Sequence, residues 1–252
     1  MPTTIISTRE TQFGYFDEVL EHPNWKGAQI LDFGGNVGGF LASAGERVEH
    51  EDYWCLDLNR EVIELGHRSF PRAHFIHYDR YSSQYNPEGV RNLPIPDLGI
   101  RFDIAMAFSV FTHTHPKEMI ELVEQIMGKL APGGALAFTF TDPSYDRSLT
   151  GPGLKAGTDV RKMLEWRQAE NPSLYIEGMV ETARQSRWCI LIDETLHVEP
   201  GVELSHQEHH GKPWESYCSY FTVDYIRSLF PEGKVFSPVS PEWQHCCVLR
   251  KT

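Results

Sequence analysis

The sequence predicts an α/β protein on a parallel sheet. Apolar strand-like runs alternate with helical patterns from Gln29 to about Thr141, a glycine-rich turn follows the first run, and the pattern resumes near the C-terminus. The first run, "QILDF", passes through "GGNVGG" into a helical segment opening at Gly38. The second, "YWCLD", precedes a helix that Asn59 caps and Pro71 stops, and "AHFIHY" supplies a third strand. "FDIAMAF" then leads to a segment in which Met119, Leu122, Val123, Ile126, Met127 and Leu130 recur at helical spacing. Pro116 stands in its first turn and Gly133-Gly134 beyond its end, and "ALAFTF" reads as a buried central strand.

Near the C-terminus, "YFTVDYIRSLF" has Thr222 as the N-cap of a helix, with Phe221 and Ile226 placed as a hydrophobic staple; "KVFSPVS" and "QHCCVLRK" supply two strands. Between Asp142 and Tyr217 the pattern predicts helices around Asp159 to Ala169 and Glu177 to Trp188. A strand-like "CILIDETLHV" and a loop rich in His, Glu, Gly and Pro follow. A structureless loop of that length is uncommon in a compact domain. Residues 144–217 therefore read as a substrate lid inserted before the last helix and strand pair. Residues 1–28 read as an N-terminal helical cap, and the whole chain, 1–252, as one domain.

Composition narrows the function classes. Acidic residues outnumber basic ones 35 to 23, giving a net charge of −12 that repels phosphate backbones and anionic lipid head groups, so neither a nucleic acid nor a membrane is the expected partner. Five cysteines without C-x-x-C spacing suit neither a disulfide framework nor a thiolate zinc site, which points to a reducing, cytoplasmic compartment. The N-terminus lacks a basic-then-apolar leader pattern, and no apolar run approaches the length needed to cross a bilayer.

In an open parallel sheet, ligands lie at the carboxyl ends of the strands, where the turn after the first strand brings backbone closest to them; glycine permits that approach and φ > 0. "LDFGGNVGG" sits between a strand and a helix, and Asp57 ends the second strand about twenty residues on, where a carboxylate can accept both hydroxyls of a ribose. The competing role for Asp57 is helix capping. Two nucleoside ligands fit this order, a dinucleotide or S-adenosylmethionine. The dinucleotide fingerprint G-x-G-x-x-G is poorly matched, because Asn36 stands where its second glycine belongs and Gly38 closes too early.

The loop resembles the acid-x-Gly-x-Gly-x-Gly motif of the class I S-adenosylmethionine-dependent methyltransferases, with Asp32, Gly34 and Gly38 on motif positions and Gly35 between. Only the middle glycine departs, to Asn36, a residue type that visits the left-handed region readily. "FDIAMAFSVFTHTHPKEMIELVEQIMGKLAPGGALAFTF" is similar to that family's fourth and fifth strands with a Leu-x-Pro-Gly-Gly bend, and the likeness extends to the terminal segments. The resemblance implies a three-layer, doubly wound, mostly parallel seven-stranded sheet with the last strand antiparallel, the Rossmann-like methyltransferase fold. It implies S-adenosyl-L-methionine as cofactor, with Asp57 and the adjoining Leu58 at the ribose, Asp79 of "HYDRY" at the adenine amino group, and Phe108 at the sulfur end. Asp79 as a simple turn residue is the alternative.

Methyl transfer to a hydroxyl requires in-line placement, exclusion of water and removal of one proton. "THTH", 112–115, follows the fourth strand at the ligand end, which makes His113 the first candidate base, while His115 before Pro116 reads as structural. His206 and His209 of the lid are further candidates. The flanking Pro200, Gly201, Gly211 and Pro213 argue for a loop, and imidazoles suit magnesium poorly, so no metal is expected. Tyr15, Tyr145 and Trp214 are candidates to close over the acceptor. The leading expectation is methylation of a small molecule at oxygen, on a sugar, phenol or natural-product intermediate, by a monomer or homodimer. The alternatives are a peptide or carrier-bound acceptor, and a non-catalytic S-adenosylmethionine-binding module.

Overall fold

The computed structural model describes residues 12–145, 159–198, 217–238 and 244–252. A helix, α1 (residues 12–19), precedes β1 (Ile30–Phe33), and then α2 (Gly39–Ala44), β2 (Tyr53–Asp57), α3 (Arg60–Ser69) and β3 (His74–His77) alternate as the apolar runs require. A long connection leads to β4 (Phe102–Ala107), followed by a 3-10 turn over Phe111–His113, α4 (Pro116–Lys129) and β5 (Leu130–Phe140). Further along lie α5 (Asp159–Glu170), α6 (Ile176–Gln185), β6 (Trp188–Ile192) and β7 (Thr195–Val198). They are followed by β8 (Tyr217–Phe221), α7 (Val223–Leu229), β9 (Lys234–Phe236) and β10 (His245–Arg250).

Seven strands form one sheet in the order β3-β2-β1-β4-β5-β10-β9, with β1 to β5 parallel to one another and β10 antiparallel to both β5 and β9. This is the doubly wound, three-layer arrangement expected. Alternation along the strands sorts side chains between two cores. Leu31, Ala105, Leu136 and Phe138 face a core shared with Met119, Leu122 and Ile126 of α4 and with Ile226 of α7. Ile30, Ile104, Met106 and Ala137 face the other, closed by Phe13 and Phe16 of α1, Phe40 of α2 and Ile63 of α3.

Local signals set the element ends. The Asn59 side chain accepts from the Glu61 and Val62 amides at the start of α3, and Thr222 accepts from Tyr225 N at the start of α7. His115 caps α4 by accepting from Lys117 N, with Pro116 in the first helical position where a missing N–H costs nothing.

The segment between β5 and α7 builds a second sheet, order β7-β6-β8, antiparallel throughout. The expected strand-like run is a hairpin turned at Asp193, whose φ is +50°. Two details differ from expectation. Trp188 opens β6 rather than ending α6, because its buried indole belongs to the main core together with Ile190 and Ile192. Residues 217–221 form β8, which pairs along β6 from Trp188↔Phe221 to Ile192↔Tyr217. Period-two burial divides β6 between the main core and a satellite core, where Cys189 and Leu191 meet Val160, Leu164 and Val180 of the two helices. Among the described residues, no helix is long and apolar enough to cross a membrane.

Candidate active site

The turn after β1 is held in a conformation that few residues adopt: φ is +75° at Gly34, +53° at Asn36 and +82° at Gly38. A Cβ on Gly34 would stand 2.5 Å from Val110 Cγ2, and one on Gly35 would stand 2.6 Å from the Asp32 carboxylate, so backbone occupies space that a side chain would fill. Asn36 tolerates its position because its own Oδ1 accepts from Val37 N at 2.7 Å.

Asp57, at the end of β2, ties this turn to the sheet. Its Oδ2 accepts from Asn36 N and its Oδ1 from Asn59 N, both at 2.9 Å. A carboxylate offers about four acceptor sites, so these two bonds leave it able to accept from a further donor. Burial pushes the Asp57 carboxyl above its ordinary value, opposed by the amides of Asn59, Asn36 and Leu58. Asp32 is fully enclosed and receives the Tyr53 hydroxyl at 2.6 Å; burial pushes its carboxyl up to about 7.

A cleft of about 450 Å³ runs along the carboxyl ends of β1, β2 and β4 and is walled by Gly34, Asn36, Asp57, Leu58, Phe108 and His113, together with residues of the connection after β3. That wall joins the turn, the candidate ribose carboxylate, the candidate sulfur-end aromatic and the candidate base. Another hollow, about 340 Å³, lies at the opposite ends of the strands beside Gly27, Asp103 and Gly133 and contains none of these groups.

His113 projects from the 3-10 turn after β4. Its Nδ1 lies 2.8 Å from the Tyr217 carbonyl oxygen and its Nε2 lies 3.2 Å from the Tyr85 hydroxyl. A carbonyl can only accept, so Nδ1 carries the proton; in the neutral ring Nε2 then accepts from Tyr85. Burial lowers the His113 pKa, and the Tyr217 bond opposes that shift. The neighbouring Thr114 carbonyl accepts from Ser219 Oγ at 2.6 Å, so β8 holds this turn at two points.

Other candidate residues stand elsewhere. Asp79 is exposed, its Oδ1 accepts from Asn86 Nδ2 at 3.0 Å, and it is not part of the cleft wall. Tyr15 is 4 % exposed within the core under α1 and donates to the Gln244 carbonyl at 2.9 Å, one helical turn from Gln12, which does reach the cleft. Tyr145 lies at the sheet's ligand end, edge-on to His245 at 4.9 Å. His206, His209 and Trp214 lie outside the described residues. Among the described residues no group of three or more His, Cys, Asp or Glu is placed to hold a metal ion.

Two features of the cleft escape sequence reasoning. Tyr85 enters from the connection between β3 and β4, where "YSSQYN" carries no periodicity to place it. Ser109, with φ +57°, sits under a buried network in which its amide donates to Thr139 Oγ1, Thr139 donates to Gln244, and Gln244 donates to Ser109 Oγ. Only its position just after β4, beside Phe108, hints at the site.

Residues 31–136 match the family described as methyltransferase domain. The fold is similar to an amino pentose methyltransferase from Micromonospora echinaspora involved in calicheamicin biosynthesis, at 16 % identity and TM-score 0.52, over 98 % of this chain and 92 % of that one. It is also similar to an S-adenosylmethionine-dependent methyltransferase from Clostridium acetobutylicum, at 8 % identity and TM-score 0.52, over 97 % and 91 %. A glycopeptide N-methyltransferase complexed with S-adenosyl-L-methionine matches at 11 % identity and TM-score 0.51, over 96 % and 94 %. The methyltransferase-domain match runs from β1 into β5, and these structures share the chain's fold over nearly its whole length.

Proposed function

We propose that this enzyme methylates a hydroxyl oxygen of a small molecule, a sugar, phenol or natural-product intermediate, with His113 as general base. The observation carrying this reading is the neutral His113 tautomer on the cleft wall, with Nδ1–H committed to the Tyr217 carbonyl and the Nε2 lone pair turned to Tyr85. A hydroxyl must lose its proton as it attacks carbon, and a neutral imidazole held in one tautomer is suited to take it. A free amine attacks through a lone pair it already has and needs no base at that moment.

The cofactor supplies an electrophilic methyl carbon on sulfur whose leaving group is a neutral thioether. Asp57 would accept from the ribose hydroxyls with the acceptor capacity its backbone bonds leave open. Gly34, Gly35, Asn36 and Gly38 present main chain at close approach, and Asp32, bonded by Tyr53, keeps the turn in shape from behind. Leu58 and Phe108 supply apolar wall at the sugar and sulfur ends. Asp79, engaged by Asn86, is reassigned as a turn residue; Tyr15 is reassigned to the core. Tyr145 is a contact for the acceptor, and acceptor-directed roles are kept for His206, His209 and Trp214 on their sequence alone. Residues 144–217 act as the substrate-side insertion, in one domain with the remainder, and the protein works in the cytoplasm.

The test is methyl release from S-adenosylmethionine over a panel of phenols, sugars and amines. Turnover of hydroxyl acceptors, and a kcat about 100-fold lower on them for His113→Gln, are expected. Turnover of amines alone, or full activity in His113→Gln, would sink the oxygen reading.

A further inference from the structure

Both nitrogens of His113 are already engaged, and the Nε2 partner is a cleft residue. Tyr85 Oη lies 3.2 Å from Nε2, with the two rings edge-on at 5.1 Å and 88°. An acceptor approaching this base therefore meets the tyrosine hydroxyl first. That hydroxyl has one proton, given to His113, and two lone pairs, so it is able to take a proton from the acceptor while passing its own on.

Tyr85 is held for this position. Ser82 and Asn86 exchange two backbone bonds at 3.0 Å, Tyr85 N donates to Ser82 Oγ, and Asn86 Nδ2 bonds Asp79 and the Arg80 carbonyl. Arg80 is buried against Glu118 and Glu121 of α4 and donates to the Leu93 carbonyl, which pins the connection to the body of the fold. Tyr85 is itself 49 % exposed and lines the cleft, so a ligand in the cleft can reach it.

We propose that Tyr85 is a catalytic residue, a proton relay between the acceptor hydroxyl and His113. The inference rests on the oxygen-methylation reading above. As the acceptor oxygen uses a lone pair to bond the methyl carbon, the carbon–sulfur pair leaves with sulfur. The acceptor proton passes to Tyr85 Oη, and the Tyr85 proton passes to His113 Nε2. Products are the methyl ether, the neutral thioether and a protonated His113, whose Nδ1–H bond to the Tyr217 carbonyl is strengthened by the charge. Atoms and charge balance without a metal or a further reactant. Burial pushes the Tyr85 phenol up to about 12, with Cys218 and Asp57 adding to it, so the hydroxyl is a donor at rest.

Two measurements on the full chain test it. The first is NMR of histidine-labelled protein with S-adenosylhomocysteine, His113 being assigned by its loss in His113→Gln. A donor to Nε2 stabilises the neutral ring, so Tyr85→Phe raises the His113 midpoint by about half a pH unit. An unmoved midpoint overturns the proposal. The second is kinetics on the hydroxyl acceptor that turns over fastest in the panel. Tyr85→Phe is expected to lower kcat on the order of 100-fold with KM within about threefold, and to change the solvent isotope effect on kcat. Tyr85→Phe at wild-type kcat with His113→Gln inactive overturns the relay and leaves the base reading standing. Full activity in both variants overturns the base reading itself.

Discussion

In the proposed reading Asp57 does two jobs with one carboxylate. Its bonds to Asn36 N and Asn59 N fix the distance between the β1 turn and the start of α3, and its remaining acceptor capacity is proposed to meet the ribose. Asp57→Ala removes both, so calorimetry with S-adenosylhomocysteine is expected to show affinity reduced by about 10- to 100-fold, as for bonds to a charged group; undiminished affinity would refute its assignment to the ribose. The imidazole has an equally definite consequence for pH. Proton abstraction needs neutral His113, and burial lowers its midpoint, so kcat on a hydroxyl acceptor should rise from acid pH and level off after an inflection below the ordinary value of about 6.5. An inflection above that value would point to another base. Residue types at the ends of β1 and β2 marked in advance the turn and the Asp57 carboxylate that line the cleft. Tyr85 was illegible, because its bond to His113 joins residues 28 apart through a connection whose course no periodicity encodes.

At the scale of elements, the β1 turn trades strain for access. Gly34 combines φ +75° with a neighbour that leaves no room for a methyl group, since Val110 lies where its Cβ would go. Gly34→Ala is expected to cost about 1–3 kcal/mol and lower the Tm by several degrees, read by thermal unfolding without ligand. An unchanged Tm would mean that the turn relaxes freely. Asn36 shows the limit of motif reading at this scale: the left-handed turn it supports is legible from its residue type, while the 2.7 Å bond from Val37 N to its own side chain needs coordinates. Strand β8 makes the same point. Its aromatic run "YCSYF" gains strand identity from pairing with β6, some 30 positions earlier, and local sequence holds no trace of that partner.

Across the whole molecule, the second sheet is continuous with the first through packing. Trp188, Ile190, Ile192, Tyr217 and Phe221 lie in the same buried cluster as Leu136 and Phe138 of the central strand. Ile190→Ala, at a fully buried position, is expected to destabilise the protein by about 2–5 kcal/mol. Near-ultraviolet and far-ultraviolet dichroism should then report one shared transition in denaturant; two separated transitions would show that the insertion unfolds by itself. The main sheet order was legible because βαβ alternation constrains topology strongly. How the insertion docks was not, since its buried face is defined only once β6 and β8 are paired.

The oxygen that fixes the His113 tautomer belongs to the main chain of Tyr217. Replacing a side chain leaves such an oxygen in place, so β8 is free to diversify in sequence without disturbing the imidazole's protonation pattern. If the proposed base role holds, new acceptors are thereby open to this scaffold at little risk to its acid–base chemistry, provided the path of that one strand is kept.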